Sequence, residues 1–327
     1  MATYTIIKLV HLSALHIGTG KENYDFSAAD LHSDTLSAAV AAMRAQQGQA
    51  DDLDNFLNSF TLSSAFPFCG NRYFLPKTHG RIQVKVEGKE EHLSRKKLKR
   101  IKYIEYPLWQ QLIAGNELEV EEQQLNGDFL TVEALPYRSI SMTQVNQRVS
   151  VSRMEGEEAD PFFFDWRFFS EGTGLYCLTD ATGELLGEII SFFERLGEIG
   201  LGTDKSVGGG KFQVETDTME ICAAENANDV MLLSLYLPTK EDLATIDLKQ
   251  SSYDLLLRGG YMAGSSSEAY RHLRKQSIYM FGVGSLLHTQ QPLHGKVVDL
   301  KPNQETDMHS IYRSGRPIYV PVKRIEL

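Results

Sequence analysis

Cysteine is scarce in this chain of 327 residues. Its three cysteines, Cys69, Cys177 and Cys222, lie far apart and show no paired spacing. That argues against a disulfide framework and a zinc site, and it fits a reducing cytoplasm. Long hydrophobic runs are missing too. No stretch of about 18 apolar residues is present, which argues against a membrane-spanning helix. The opening Met1 to Lys8 lacks the layout of a signal peptide. Positive charge is in deficit: 33 Lys and Arg against 43 Asp and Glu give a formal net charge of −10. Such a balance argues against indiscriminate DNA binding. It leaves room for a local basic groove and supplies acidic surface for protein partners. No acidic pair and no Cys/His cluster has metal-ligand spacing, so neither a metal nor another cofactor is expected.

The length suits about two domains at roughly 150 residues each, and a hydrophobic fraction of 42% is ordinary for a globular protein. Tyr4 to Leu15 reads as a strand. Ser33 or Asp34 then caps a helix carrying Leu36, Val40 and Met43 and closed by Gly48. Leu53, Phe56, Leu57 and Phe60 have the spacing of a second helix, and strand-like segments follow from Phe66 to Leu75. From Gly174 the pattern starts again. A strand leads to a helix built on Leu185, Ile189, Phe193 and Leu196, with later strands near Met231 to Leu237, Tyr253 to Leu257, Ile278 to Phe281 and Ile318 to Val322. Residues 120 to 170 alternate polar and apolar positions without a clear helix, so an extended insertion or β-hairpin arm is expected there. Its aromatic cluster, Phe162 to Phe169, can stack on bases, but strand packing explains it better. The basic run Arg95 to Lys102 reads as a solvated helix face. The expected fold is α+β: two ferredoxin-like (RRM-like) domains with an inserted β-hairpin. They would occupy 1–118 and 171–327, with the β-rich insertion over 119–170.

The stretch Gly200-Leu201-Gly202-Thr203-Asp204-Lys205-Ser206-Val207-Gly208-Gly209-Gly210-Lys211 holds five glycines and two lysines. Glycine permits positive φ and close backbone approach, so successive N–H groups can converge on an anion beside the lysines. Two familiar nucleotide motifs fail here. The dinucleotide fingerprint needs a glycine where Lys205 stands, and the triphosphate loop needs Ser or Thr where Phe212 stands. A phosphate-backbone clamp and a flexible helix-capping turn both remain open.

Four segments carry a family resemblance. They are Leu15-His16-Ile17-Gly18 followed by His32-Ser33-Asp34-Thr35-Leu36; Asn146 to Arg153; the Lys205-Ser206-Val207-Gly208 loop; and a C-terminal series, Arg258-Gly259-Gly260-Tyr261, Gly284-Ser285, Gly295 to Asp299 and His309 to Gly315. In this order they resemble the RAMP superfamily of CRISPR proteins. Within it the chain is most similar to the fourth subunit of the type III-A Csm effector complex. It departs from that pattern at Ser152, where an acidic residue is expected.

The resemblance implies a non-catalytic RNA-binding subunit that grips the repeat-derived 5′ handle of CRISPR RNA. It implies docking to the large polymerase/cyclase-like subunit and to a backbone RAMP subunit, with target RNA engaged only indirectly and a thumb-like hairpin reaching into the guide. The RNA contacts would come from His16, Gly18, Ser33, Arg148, Arg153 and Arg313. Gly200, Gly202, Lys205, Ser206, Gly208, Gly209, Gly210 and Lys211 would add the glycine loop. Single-stranded RNA is read through splayed bases, backbone N–H groups and 2′-hydroxyls, and arginine makes bidentate phosphate contacts that lysine cannot match. The alternative is a guide-processing endoribonuclease using His16 or His32 as general acid or base. A lone histidine at an element end is more often a hydrogen-bonding or RNA-contacting residue.

Overall fold

The computed structural model describes residues 1–18, 24–80, 82–87, 91–137, 139–151, 159–225, 227–261, 273–302 and 308–324. The first strand, β1 (Ala2–Val10), sets the architecture. Successive side chains of a strand point to opposite faces, and in Ile6-Ile7-Lys8-Leu9-Val10 both faces are apolar. Ile7 and Leu9 enter one core, whereas Ile6 and Val10 enter another. A strand buried on both faces belongs inside a sheet.

The chain continues through α1 (Ser33–Gln46), α2 (Leu53–Asn58), β2 (Phe66–Cys69) and β3 (Arg72–Pro76). A peripheral stretch adds β4 (Val84–Val86), α3 (Glu91–Arg100), β5 (Tyr103–Glu105), α4 (Tyr106–Ile113), β6 (Leu118–Val120), β7 (Leu125–Asn126) and β8 (Phe129–Leu130). Strands β9 (Ser141–Ser150) and β10 (Asp160–Phe169) then pair antiparallel along their full length. They are followed by β11 (Thr173–Thr179), α5 (Gly183–Ile199) and β12 (Gln213–Ile221).

One sheet runs β12-β1-β11-β2-β3-β5-β8-β7. Its first four strands are mutually antiparallel, with Ile6 opposite both Leu178 and Asp217. The expected division at 118 and 170 therefore does not follow the sheets, because β1 is held between strands that lie beyond residue 170. The partners are too far apart in sequence to leave a local signal. Helices α1 and α5 cover one face. Leu36, Val40 and Met43 from α1 meet Ile189, Phe192, Phe193 and Leu196 from α5, each set at helical spacing. Burial of each such side chain contributes roughly 1.5–3 kcal/mol before conformational entropy is subtracted. Arg44 of α1 and Glu188 of α5 add an ion pair. The residue capping α1 is His32, without a side-chain cap bond. Ser33 sits inside the first turn, where its Oγ accepts the Leu235 N–H at 2.9 Å.

The second half contains β13 (Asp229–Leu232), α6 (Lys240–Thr245), β14 (Asp247–Ser252), β15 (Leu255–Arg258), β16 (Ile278–Phe281), β17 (Leu286–His288), β18 (Val297–Asp299), β19 (Tyr312–Ser314) and β20 (Tyr319–Val322). Its four-stranded sheet runs β14-β17-β13-β20. Met231, Leu233, Ile318 and Val320 complete the core on the far side of the first sheet, so the two halves share apolar interior. Lys96, Lys97, Lys99 and Arg100 are exposed on α3, and Lys97 pairs with Glu122. Among the described residues no helix is long and apolar enough to cross a membrane.

Candidate nucleic-acid interface

The glycine loop starts where α5 ends at Gly200 and finishes at β12. Most of its N–H groups are used to build the loop. Leu201 donates to Gly210 O at 2.9 Å, Thr203 to His16 O at 3.0 Å and Gly210 to Ala14 O at 2.9 Å. Gly208 and Gly209 donate to Lys205 O and Asp204 O, and Lys211 to Ser13 Oγ at 2.7 Å. The glycines are there first to let strands of chain cross. Gly202 has φ 82° and Gly210 has φ 67°, and a Cβ on either would overlap a carbonyl oxygen, that of His16 or of Leu201. Four N–H groups, those of Gly202, Asp204, Lys205 and Ser206, donate to no protein acceptor among the described residues. They lead into the short 3-10 turn Lys205–Val207, and Lys205, Ser206 and Lys211 are exposed.

The β9–β10 hairpin closes onto this loop. Arg148 of β9 forms an ion pair with Asp204, the loop residue in left-handed conformation at φ 58°. The Arg148 guanidinium also lies 4.5 Å from the Phe164 ring centre and 5.2 Å from that of Trp166, within cation–π range. Trp166 packs so tightly on Gly209 that a Cβ there would sit 2.7 Å from the indole. Strand alternation alone does not explain the aromatic cluster, because Phe164, Trp166 and Phe168 share one face of β10. Phe164 and Trp166 are buried, whereas Phe163 and Phe168 are exposed.

His16 joins the same assembly from below. It is 1% exposed, its Nδ1 is 2.8 Å from Asp165 O, and its ring centre is 4.4 Å from that of Phe164. Gly18 is exposed beside Thr203. The structure thus gathers His16, Gly18, Arg148 and the residues from Gly200 to Lys211. Arg153 lies outside the described residues.

Ser33 and Arg313 belong to a second cluster, at the seam between the halves. Asp34, in the first turn of α1, has a fully buried side chain. Arg258 grips it with Nε–Oδ2 at 2.9 Å and Nη2–Oδ1 at 3.0 Å, and Arg313 binds Oδ2 as well. Burial alone would push the Asp34 carboxyl up, but the two guanidiniums and the Arg258 hydrogen bonds outweigh it and hold the carboxyl below its usual range. Burial lowers Arg313, and Asp34 works against that shift. The Arg313 guanidinium is thereby already engaged by protein. Burial, reinforced by Arg258, also keeps the His32 imidazole below its usual range. Asp204, Trp166 and Arg258 were not singled out from sequence as site residues. Nothing local marks them, since each is defined by a partner on a distant element. Among the described residues no group of three His, Cys, Asp or Glu side chains could hold a metal ion.

Comparison with known proteins adds identity to this geometry. Residues 225–322 match the family model of the CRISPR Csm4 C-terminal domain. The chain is 26% identical over 262 residues to the CRISPR system Cms protein Csm4 of Thermococcus onnurineus (strain NA1), covering 78% of this chain and 82% of that one. It is 23% identical over 306 residues to the Csm4 protein of Mycobacterium tuberculosis (strain CDC 1551 / Oshkosh), covering 92% and 93%. Two solved structures share its fold. One is a Csm1-Csm4 cassette in complex with cA4, at TM-score 0.61 and 21% identity with 99% of each chain covered. The other is a Csm3-Csm4 subcomplex of the type III-A CRISPR-Cas interference complex, at TM-score 0.63 and 17% identity, covering 98% of this chain and 100% of that one. Together these findings make the chain similar to Csm4 proteins of CRISPR systems, with the family-model match confined to residues 225–322.

Proposed function

We propose that this chain is a non-catalytic RNA-binding subunit of a type III-A CRISPR interference complex, holding the 5′ repeat-derived handle of CRISPR RNA. The observation that carries the reading is the set of open N–H donors at Gly202, Asp204, Lys205 and Ser206, beside the Lys205 side chain and Arg148 on its aromatic platform. Open backbone donors suit phosphate oxygens, and an arginine between aromatic rings suits a phosphate beside a stacked base. Each half is built as a split β–α–β unit, ferredoxin-like in strand order. In the first, β1–α1–β2 and β11–α5–β12 give the order β12-β1-β11-β2. The second keeps the same order, with β13–α6–β14 as its complete pass. The β9–β10 hairpin is the thumb that reaches toward the guide. Similar chains stand in solved assemblies with Csm1 and with Csm3. This chain accordingly docks the large polymerase/cyclase-like subunit and a backbone RAMP subunit, and it does so in the cytoplasm.

The nuclease alternative draws no support from His16, whose ring is buried with Nδ1 committed to a backbone carbonyl. Repeat RNA incubated with purified protein, with and without divalent metal, should stay intact. The binding test is Lys205→Ala with Lys211→Ala. Guide occupancy should fall, and the slope of log affinity against log salt should flatten by about 1.4, roughly 0.7 per lost phosphate contact. Unchanged occupancy in the purified double variant overturns the reading.

A further inference from the structure

Three cations meet at the seam between the two halves, and they share a single carboxylate. Arg258 and Arg313 both bind Asp34. The half-buried Lys275 ammonium feels the same three groups, yet it makes no hydrogen bond and no ion pair among the described residues. Burial first, then Arg313 and Arg258, push Lys275 below its usual range, and Asp34 opposes them. The His32 imidazole, held below its usual range, adds no charge at neutral pH. Three positive groups against one carboxylate leave two unit charges unmatched. Donors stand open around this excess. Arg258 spends Nε and Nη2 on Asp34 and Thr35, which leaves Nη1 free. Arg313 binds Asp34 through Nη1 alone. Gly259 and Gly260 donate their N–H groups to no protein acceptor among the described residues. Gly260 has φ 109°, which suits glycine, and its carbonyl accepts the Lys275 N–H at 3.0 Å, so the lysine backbone lies beside these donors. No unpaired nitrogen of Arg258, Lys275 or Arg313 is sealed from solvent.

Unmatched charge away from bulk water is costly, and an anion from outside removes the cost. The balance selects which anion. A carboxylate, a chloride or a backbone phosphodiester brings one negative charge and leaves one cation unmatched. A terminal phosphate carries about −1.5 to −2 at pH 7 and presents three strong acceptor oxygens. Those oxygens can take a guanidinium, an ammonium and a backbone N–H together. We propose that Arg258, Lys275 and the Gly259 and Gly260 N–H groups form a binding site for a terminal phosphate group. Asp34 and Arg313 are the frame that positions Arg258. The phosphate can be free, as inorganic phosphate or on a nucleotide, or can end an RNA strand. The site stands independently of what the glycine loop binds.

The test is isothermal titration calorimetry of the full chain in chloride buffer with inorganic phosphate and with adenosine 5′-monophosphate. Each should bind saturably, at one site per chain, and adenosine should not bind. Lys275→Gln should weaken phosphate binding by about tenfold or more, and Lys275→Arg, which restores the charge, should keep most of it. Phosphate should lose about tenfold between about pH 7.5 and pH 5, because its second proton binds near pH 6, whereas sulfate, doubly charged throughout, should not. The Lys205→Ala, Lys211→Ala protein should bind phosphate as the parent does, so loss of the RNA-grip reading would leave this one intact. A short RNA with a 5′-phosphate compared with its 5′-hydroxyl counterpart identifies the source. A gain of about tenfold or more from the phosphate assigns the site to a strand end, and equal affinity assigns it to free phosphate or a nucleotide. Absence of saturable binding of both phosphate and the monophosphate overturns the proposal. So does undiminished binding in Lys275→Gln with the circular dichroism of the parent, and so does singly charged dimethyl phosphate binding as tightly as phosphate.

Discussion

Replacing Asp34 with Asn should destabilise the protein more than any other single-atom exchange at the seam. The Asp34 side chain has no solvent exposure, while Arg258 and Arg313 retain 24% and 10%. Removing one partner of a buried ion pair leaves an uncompensated charge and costs about 3–5 kcal/mol. Here two guanidiniums lose their counter-charge and one of its two acceptor oxygens, but both keep some access to water, which places the expected loss near the lower bound, about 3 kcal/mol. Urea unfolding followed by circular dichroism measures it. A cycle with Arg313→Gln isolates the pair, and strong non-additivity is expected because the residues touch. The pH dependence carries a sign. The folded carboxyl lies below its unfolded value of about 3.9, so the unfolded chain takes up the proton first as pH falls. The contribution of Asp34 is full above about pH 4 and fades as pH drops through the folded value. The gap between wild type and Asp34→Asn should therefore narrow in acid. A loss below about 1 kcal/mol at neutral pH, or simple additivity with Arg313→Gln, would refute the reasoning.

Gly202→Ala should disturb the glycine loop without unfolding the cores, because positive φ and the His16 carbonyl both oppose a Cβ; strain of about 1–3 kcal/mol is expected, read as faster amide exchange between residues 200 and 211. Trp166→Ala should cost about 3–5 kcal/mol and loosen Arg148 from Asp204, seen as higher proteolytic sensitivity of the hairpin. Thiol titration of the native protein should report one fast cysteine, Cys222, which is exposed. Cys69 and Cys177 are buried, and burial pushes the Cys177 thiol up to about 12, so both should react only on unfolding.

Periodicity made the helices legible. Leu36, Val40 and Met43 mark α1, and Ile189, Phe193 and Leu196 mark α5, because one buried face repeats every 3.6 residues. A hairpin arm was legible from the polar–apolar alternation of residues 120 to 170, and β9 and β10 pair there. Strand order was not, since β1 takes its partners from beyond residue 170. Short α4, Tyr106–Ile113, also escaped notice, although Pro107 opens it. At the loop, the glycines were visible but their first duty was not. They allow chain crossings, and the donors left for a ligand sit at Gly202 and from Asp204 to Ser206. Ser33 and Arg313 looked like companions of the loop, whereas Asp34 draws both of their elements to the seam.

The position of β1 has a consequence for synthesis. Its neighbours in the sheet, β11 and β12, are the last parts of the first half to be made. At about 5–20 residues per second, roughly 10–40 s separate the emergence of Val10 from that of Ile221. For that interval Ile6, Ile7, Leu9 and Val10 lack at least one of their two neighbouring strands. A fragment ending before Gln213 would leave the strand half-paired and adhesive, so this chain calls for protection of its own beginning until its middle has been built.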